Sequence, residues 1–473
     1  MGFRLQAAAV GLCVAVSAAC GSSEKTPANA DGTSGTPAEA GAGASGSRAG
    51  APGAAGSATA GSSSGADGGG SSPQAGATSD AGAAGQPPTS LSPPVDCAKL
   101  ASVVGVWQNI SPPELLTPGN MEVYSVAVNP LDGTVFMSGG NNTNGGACPK
   151  GTECPQTLTG LMRSSDCGAT FARINSVAAG TDSANLITGA LWAMVLDPKN
   201  PNVMYVANGY GMNPTLYKST NAGVDWTALE PDPAGKLNFV QAIAVSPYDS
   251  QHLAITWHVN CEAPRTPFCL SKSTDGGDTW TLFDGPSSIP DWKIEGWMEA
   301  SAISILGPSS YLLTTPAGVW FSGDTGAKWF QVAPEIVYAT YSGSSVIAGG
   351  DLFIAGAGHI LKSAAAAGDP PFDLATSHTV TPLANSPTVT ALVTDGKSLF
   401  VGSSRDGEHQ LWTAPLSDTT KWTQTTDKIC KGDICRGPNE MAYDPVHHVV
   451  YSTTRRHRPL AQFAEYTTWW TGS

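Results

Sequence analysis

Ser164-Ser-Asp166-Cys-Gly168-Ala-Thr-Phe171 returns as Ser219-Thr-Asn221-Ala-Gly223-Val-Asp-Trp226, as Ser273-Thr-Asp275-Gly-Gly277-Asp-Thr-Trp280 and as Ser322-Gly-Asp324-Thr-Gly326-Ala-Lys-Trp329. The serines lie 55, 54 and 49 residues apart, so one supersecondary unit repeats along the chain. A short acidic or amide side chain can accept backbone N–H bonds across a tight turn, and glycine can take the positive φ such a turn requires. Asp166, Asp275 and Asp324 are therefore expected to be structural. The closing aromatic is expected to pack between neighbouring sheets, where ring area contributes most.

Between these phrases runs a second one: Val126-Ala-Val-Asn-Pro130, Met194-Val-Leu-Asp-Pro198, Ile243-Ala-Val-Ser-Pro247 and Met441-Ala-Tyr-Asp-Pro445. Each is a short apolar strand ending in a turn, followed by a further strand such as Val203-Met-Tyr-Val-Ala207. Strand, turn, strand, loop, strand, repeated phrase, strand describes a four-stranded antiparallel blade.

The phrase Ser-x-Asp-x-Gly-x-x-Trp resembles the Asp box (BNR repeat) of sialidase-like β-propellers. The resemblance covers about Val104 to Thr468 and implies an all-β single propeller, with the boxes on the rim opposite the binding face. Boxes mark four blades from about Met121 to Phe330. A fifth, near Ile336 to Leu374, carries Ser363-Ala-Ala-Ala-Ala367 instead, and a sixth, Thr388 to about Gln424, keeps only Asp418 and Trp422. A seventh runs from Asn439 to the C-terminus. Val104-Gly-Val-Trp-Gln-Asn-Ile110 is expected to supply its outer strand, with Trp107 where a box tryptophan would stand, so that both termini share one blade and no edge is left open. Seven blades are expected, with six or eight as the alternatives.

Residues 1–19 have a signal-peptide layout: Arg4, an apolar run of roughly 13 residues from Ala7 to Ala19, then small residues. The run falls short of the roughly 20 that span a bilayer. Ser17-Ala18-Ala19-Cys20 resembles a bacterial lipobox, which makes Cys20 the expected lipidation site and an outer-membrane or cell-surface lipoprotein the expected product. Cleavage beside Ala18 or Ala19, giving a secreted protein, is the alternative. Residues 20–96 are almost wholly Ala, Gly, Ser, Thr, Pro and Asp and cannot bury enough apolar surface to order themselves. Such a tether reaches on the order of 45–50 Å. Residues 97–473 form the propeller.

The chain carries 24 Lys+Arg against 38 Asp+Glu, a net charge of −14, so no nucleic-acid partner is expected. Of ten cysteines, Cys13 lies in the signal and Cys20 at the anchor. The even remainder suits an oxidising compartment. Sequence proximity suggests Cys148 with Cys154, Cys261 with Cys269 and Cys430 with Cys435, leaving Cys97 and Cys167 by elimination. No spacing is Cys-x2-Cys with a matching second half, so neither a metal nor any other cofactor is expected. The domain is expected to be a monomer.

A propeller gathers ligands on one face, from residues just before each inner strand and from the loop joining the second and third strands. Glu122, Phe239 and Glu299 align at one such position, with Glu440 three residues further along its strand. The middle loops contribute Tyr210, His258, Arg405, Asp406 and the cluster Arg455, Arg456, His457 and Arg458. The richest stretch is Asp291-Trp292-Lys-Ile-Glu295-Gly-Trp297-Met-Glu299. Rings stack on sugar C–H faces while acids bind hydroxyls or serve as acid and base, with Glu299, Asp291 and Glu122 the catalytic candidates. The arginines suit a carboxylate-bearing or sulfated ligand.

Two function classes stay open. One is a propeller that binds a glycan or an extracellular protein, as in photosystem-assembly factors and sortilin-like receptors that share the box. The other is a glycoside hydrolase resembling sialidases or xyloglucan-cleaving enzymes, the latter echoed by Asn200-Pro-Asn-Val-Met-Tyr205 and Leu216-Tyr-Lys-Ser-Thr220. Fold alone does not separate them. If Cys20 is the anchor, Cys20→Ser should move the protein from the detergent phase to the aqueous phase in its host. Equal partitioning of both forms would remove the anchor.

Overall fold

The computed structural model describes residues 108–110, 122–140, 160–174, 191–208, 215–237, 239–289, 301–315, 317–334, 345–356, 358–366, 372–374, 378–385, 387–405, 408–424, 435–456 and 467–471. The expected signal, Cys20, the tether and Cys97 lie outside them. No described helix is long and apolar enough to cross a membrane.

Among the described residues, the strands pair into seven four-stranded antiparallel sheets. Six are runs of four consecutive strands, whose first strands are Glu122–Val128, Leu191–Leu196, Val240–Val245, Ala302–Gly307, Ser345–Ala348 and Thr388–Thr394. The remaining sheet is composite: Cys435–Asp444, Val449–Arg456 and Thr467–Thr471 are completed by Gln108–Asn109, with Gln108 opposite Trp469 and Asn109 opposite Thr468. The sheets are called blades 1 to 6 and the composite blade below.

First strands pack on first strands from blade 1 through blade 4, between blades 5 and 6, and between the composite blade and both its neighbours, blades 6 and 1. Ser304 and Ser345 hydroxyls, 2.7 Å apart, link blades 4 and 5. The chain is thus an all-β propeller of four-stranded antiparallel blades. Its core fills the gaps between blades: one cluster joins Phe136 and Leu161 of blade 1 to Met204, Tyr217 and Trp226 of blade 2, and another joins Tyr205 and Leu229 of blade 2 to Ile243, Leu253 and Trp280 of blade 3.

The four copies of the repeated phrase fold into one turn. The serine hydroxyl accepts the glycine N–H at 2.8 Å (Gly168), 2.9 Å (Gly223), 2.8 Å (Gly277) and 2.9 Å (Gly326), and donates to Oδ1 of Asp166, Asn221, Asp275 and Asp324. That Oδ1 then accepts the N–H four residues on, at 2.8 Å in every copy. Two successive residues take left-handed backbone, such as Cys167 at φ 58° with Gly168 at 86°, and Thr325 at 60° with Gly326 at 92°. A non-glycine residue there costs about 1–3 kcal/mol, so the hydrogen bonds hold a strained turn.

Each turn is locked to the blade before it. A Cβ on Gly168 would stand 2.3 Å from Ile110, on Gly223 2.6 Å from Ile174, on Gly277 2.9 Å from Leu229 and on Gly326 2.3 Å from Phe283. Ile174, Leu229 and Phe283 lie three residues beyond the aromatics Phe171, Trp226 and Trp280, and Ile110 lies three beyond Trp107. The strand leaving one turn therefore plugs the glycine of the next. In blade 5, where the phrase is absent, the Ser363 hydroxyl donates to Asp373 O, and Phe372 and Leu374 fill the gap.

The turn hydrogen bonds hold Asp275 well below its ordinary range, at about 2, chiefly through the Thr279 hydroxyl and N–H. In Asp166 burial works the other way, but the Thr170 and Ser164 bonds outweigh it and the carboxyl is lowered too. A carboxyl with a folded pKa below its unfolded value stabilises the fold above the unfolded value, and that contribution disappears as pH falls through the folded one. Melting temperature should therefore drop as pH falls from about 4 towards 2. Asp275→Asn, which copies Asn221 of the second turn, should flatten the drop in a pH series of thermal melts. Trp280→Ala should cost about 3–5 kcal/mol in denaturant unfolding, because the indole fills the gap between blades 2 and 3.

Candidate functional site

In an antiparallel four-stranded blade, the start of the first strand and the connection between the second and third lie at one end. The glycine turns lie at the other. That open end receives Glu122 as the first residue of its strand, Arg405 as the last residue of Ser398–Arg405, and Arg455 and Arg456 as the last two of Val449–Arg456. Among the expected residues, Tyr210, Asp291, Trp292, Glu295, Trp297, Glu299, Asp406 and Arg458 lie outside the described residues, so the Asp291 to Glu299 stretch gains no geometry. The cysteines 148, 154 and 430 also lie outside.

Register adds a residue that the sequence reading missed. Arg436 stands directly opposite Arg455, and Cys435 opposite Arg456, in the composite blade, while Arg405 pairs with Glu408 in the adjacent blade 6. Four arginines thus belong to strand ends at the open end of two neighbouring blades. Like charges directly opposite each other on a sheet are unfavourable without a counterion. Arg436 is 19 residues from Arg455 in sequence, so only the pairing of the strands reveals the match.

Beside the composite blade, a chain of aromatics runs across the starts of the first strands of blades 1 to 3. Tyr124 stacks on Trp192 at 4.8 Å, Trp192 meets Phe239 edge-on at 5.0 Å, and Phe239 packs against His258 at 4.2 Å. Tyr124 and Trp192 each sit at a β-bulge, and the first strands of blades 1, 2, 3 and 6 shift register at the same place, around Tyr124, Trp192, Gln241 and Thr390. A bulged residue loses its alternate position on the sheet and can be aimed at a neighbour. Tyr124, Trp192 and Gln241 each precede the repeated strand phrase by two residues, a signal that the sequence carried.

His258, expected among ligand-binding residues, is half-buried in this chain, its Nδ1 2.7 Å from Gln241 Oε1. The amide oxygen can only accept, so Nδ1 carries the proton. The same amide's Nε2 is buried without a hydrogen-bond partner among the described residues. Glu440 corrects the sequence reading more sharply. It is 1% exposed, and its carboxylate accepts the Val126 N–H at 2.9 Å while its own N–H donates to the Thr453 hydroxyl at 3.2 Å. The acid bridges the composite blade to blade 1 instead of facing a ligand, because its strand runs inward past a bulge before Glu440 is reached.

The Cys261 and Cys269 thiols are joined, eight residues apart, just after the strand that ends at Trp257, and Cys167 is also disulfide-bonded. Among the described residues no cluster of three His, Cys, Asp or Glu side chains could hold a metal ion.

No family model and no curated protein sequence matches the chain. Solved structures resemble it in shape. A GH74 xyloglucanase from Xanthomonas campestris matches 77% of the chain with 16% identity and a TM-score of 0.46, and the chain spans about half of that enzyme, 55%. YCF48 bound to D1 peptide matches 78% of the chain and 97% of its own, with 12% identity and a TM-score of 0.43. The WD40 repeats of RRP9 match 77% and 96%, with 7% identity and a TM-score of 0.47.

If Glu440 holds the ring closed, Glu440→Ala should lower unfolding free energy by about 1–3 kcal/mol, since the Val126 N–H loses its buried acceptor. Glu440→Gln, which keeps an oxygen there, should lose less. Denaturant unfolding of both variants checks the order, and an unchanged midpoint in Glu440→Ala would show that the bond holds nothing.

Proposed function

We propose that this chain is an exported, membrane-tethered propeller that binds an acidic glycan, bearing carboxylate or sulfate groups, at its open end. The observation that carries the reading is the register that brings Arg436 opposite Arg455, with Arg456 beside them and Arg405 in the next blade. In a chain of net charge −14, an arginine group at one end is a local reversal of sign that suits an anionic ligand. Planar guanidinium groups bind carboxylate and sulfate through paired hydrogen bonds. The finer parts of the reading, Asp-box repeats, a signal peptide and lipidation at Cys20, rest on the sequence. Export is supported by the disulfides at Cys261, Cys269 and Cys167, which persist in oxidising compartments.

The chemistry proposed is recognition. A hydrolase would need two carboxyl groups facing each other across a cleft about 5–9.5 Å apart, and the acids proposed for that work rest on sequence alone.

Alginate and chondroitin sulfate should bind the immobilised full chain in biolayer interferometry, more weakly as salt rises, and neutral dextran should not bind at this end. The double variant Arg436→Ser, Arg455→Ser should bind about tenfold or more weakly. Equal binding of the two proteins would overturn the reading. Reducing ends released from either polysaccharide would favour the hydrolase.

A further inference from the structure

The fourth glycine turn departs from the others at its tryptophan. Trp226 and Trp280 are 5% and 7% exposed, and their indoles fold back to donate to the glycine carbonyls of their own turns, Gly223 O at 3.0 Å and Gly277 O at 2.9 Å. Trp329 is only half-buried, and its Nε1 donates instead across to Asp284 O of blade 3 at 3.1 Å. The cause lies in the residue that plugs its glycine. The other three turns receive Ile110, Ile174 or Leu229, whereas Gly326 receives the larger Phe283, whose ring atoms would stand 2.3 and 2.4 Å from a Cβ there. In the second and third turns the tryptophan ring is itself a near neighbour of the glycine; in the fourth, Phe283 has taken that place.

The displaced indole walls a cavity of about 440 Å³ between blades 3 and 4, within the range of small-molecule sites. Besides Trp329 it is lined by Phe330, Asp284, Ser287, Ser288 and Lys328. Phe330 is 54% exposed, unusual for a large apolar side chain. Trp320 also lines the cavity, and its buried Nε1 has no hydrogen-bond partner among the described residues. A buried donor without a partner is what a bound hydroxyl completes. The opposite wall is fixed in place: Thr266, inside the Cys261 to Cys269 disulfide loop, donates its N–H to Asp284 Oδ1 at 3.1 Å, and Arg265 Nη1 approaches the same oxygen at 3.6 Å.

We infer that this groove is a carbohydrate subsite that seats a neutral pyranose unit, its C–H face on Trp329 and its hydroxyls on Asp284, Ser287 and Ser288. An acid, Asp284, and a base, Lys328, line the same space with Ser287 and Ser288, a mixed set that suits hydroxyls, which can donate and accept, better than an ion of one sign. Aromatic rings beside them supply the apolar face that a sugar ring covers. The subsite stands on blades 3 and 4, separate from the arginines of blade 6 and the composite blade, and does not depend on them.

Saturation-transfer NMR on the purified full chain, with cellohexaose and mannohexaose as probes, tests the inference. Wild type should transfer saturation to at least one of them. Trp329→Ala should weaken that binding about tenfold through the lost stacking face. Ser287→Phe, an exposed position where added bulk fills the groove without touching the core, should do the same in a chain of unchanged melting temperature. The Arg436→Ser, Arg455→Ser variant should bind the probes as wild type does. No transfer to either probe, or equal transfer from wild type and Trp329→Ala, overturns the subsite. Loss in the arginine variant with retention in Trp329→Ala also overturns it, while leaving the open-end reading standing.

Discussion

The structure depends on a tight turn whose glycine is filled by its neighbour. Ser, Asp or Asn, and Gly close the turn with three recurring hydrogen bonds, and two left-handed residues bring the glycine so near the preceding blade that no Cβ fits. The plugging residue always sits three positions beyond the previous aromatic. One turn therefore sets both the shape of its own blade and the distance to the last. Because Ile110 plugs Gly168, the N-terminal strand obeys the same rule as the strands within the repeat.

At the centre of the ring the constraint is different. Small polar groups on first and second strands, or a single bulged ring, bridge the gaps between blades there. The Ser138 hydroxyl donates to Leu191 O at 3.0 Å, the Ser301 hydroxyl reaches Thr256 Oγ1 at 3.1 Å, and Glu440 accepts from Val126. Buried polar groups satisfied in this way stabilise modestly, yet each would be expensive if left unpaired. They fix which blade follows which more than they add to total stability.

Departures from a repeat carry more functional information than the repeat itself. The four turns share one set of hydrogen bonds, but one enlarged plug, Phe283, leaves Trp329 half-buried beside a cavity between two blades. The open end shows the same logic, since its arginines stand on strand ends where the repeat places no rule.

The sequence by itself determined the elements: a turn every 49 to 55 residues, strands of alternating small and branched residues, and therefore four-stranded blades. It could do so because turn geometry and strand pairing are local, fixed by residues within a few positions of one another. It also held, unread, the bulge at Tyr124, Trp192 and Gln241. Only the tertiary structure decided what those blades do to one another. Glu440 looked like a ligand group because it is an acid near the start of an inner strand, and it is a buried bridge because Val126, 314 residues away, offers an N–H there. Arg436 faces Arg455, and Phe283 displaces Trp329, for the same reason: contacts between strands and between blades join residues whose separation along the chain carries no periodic signal.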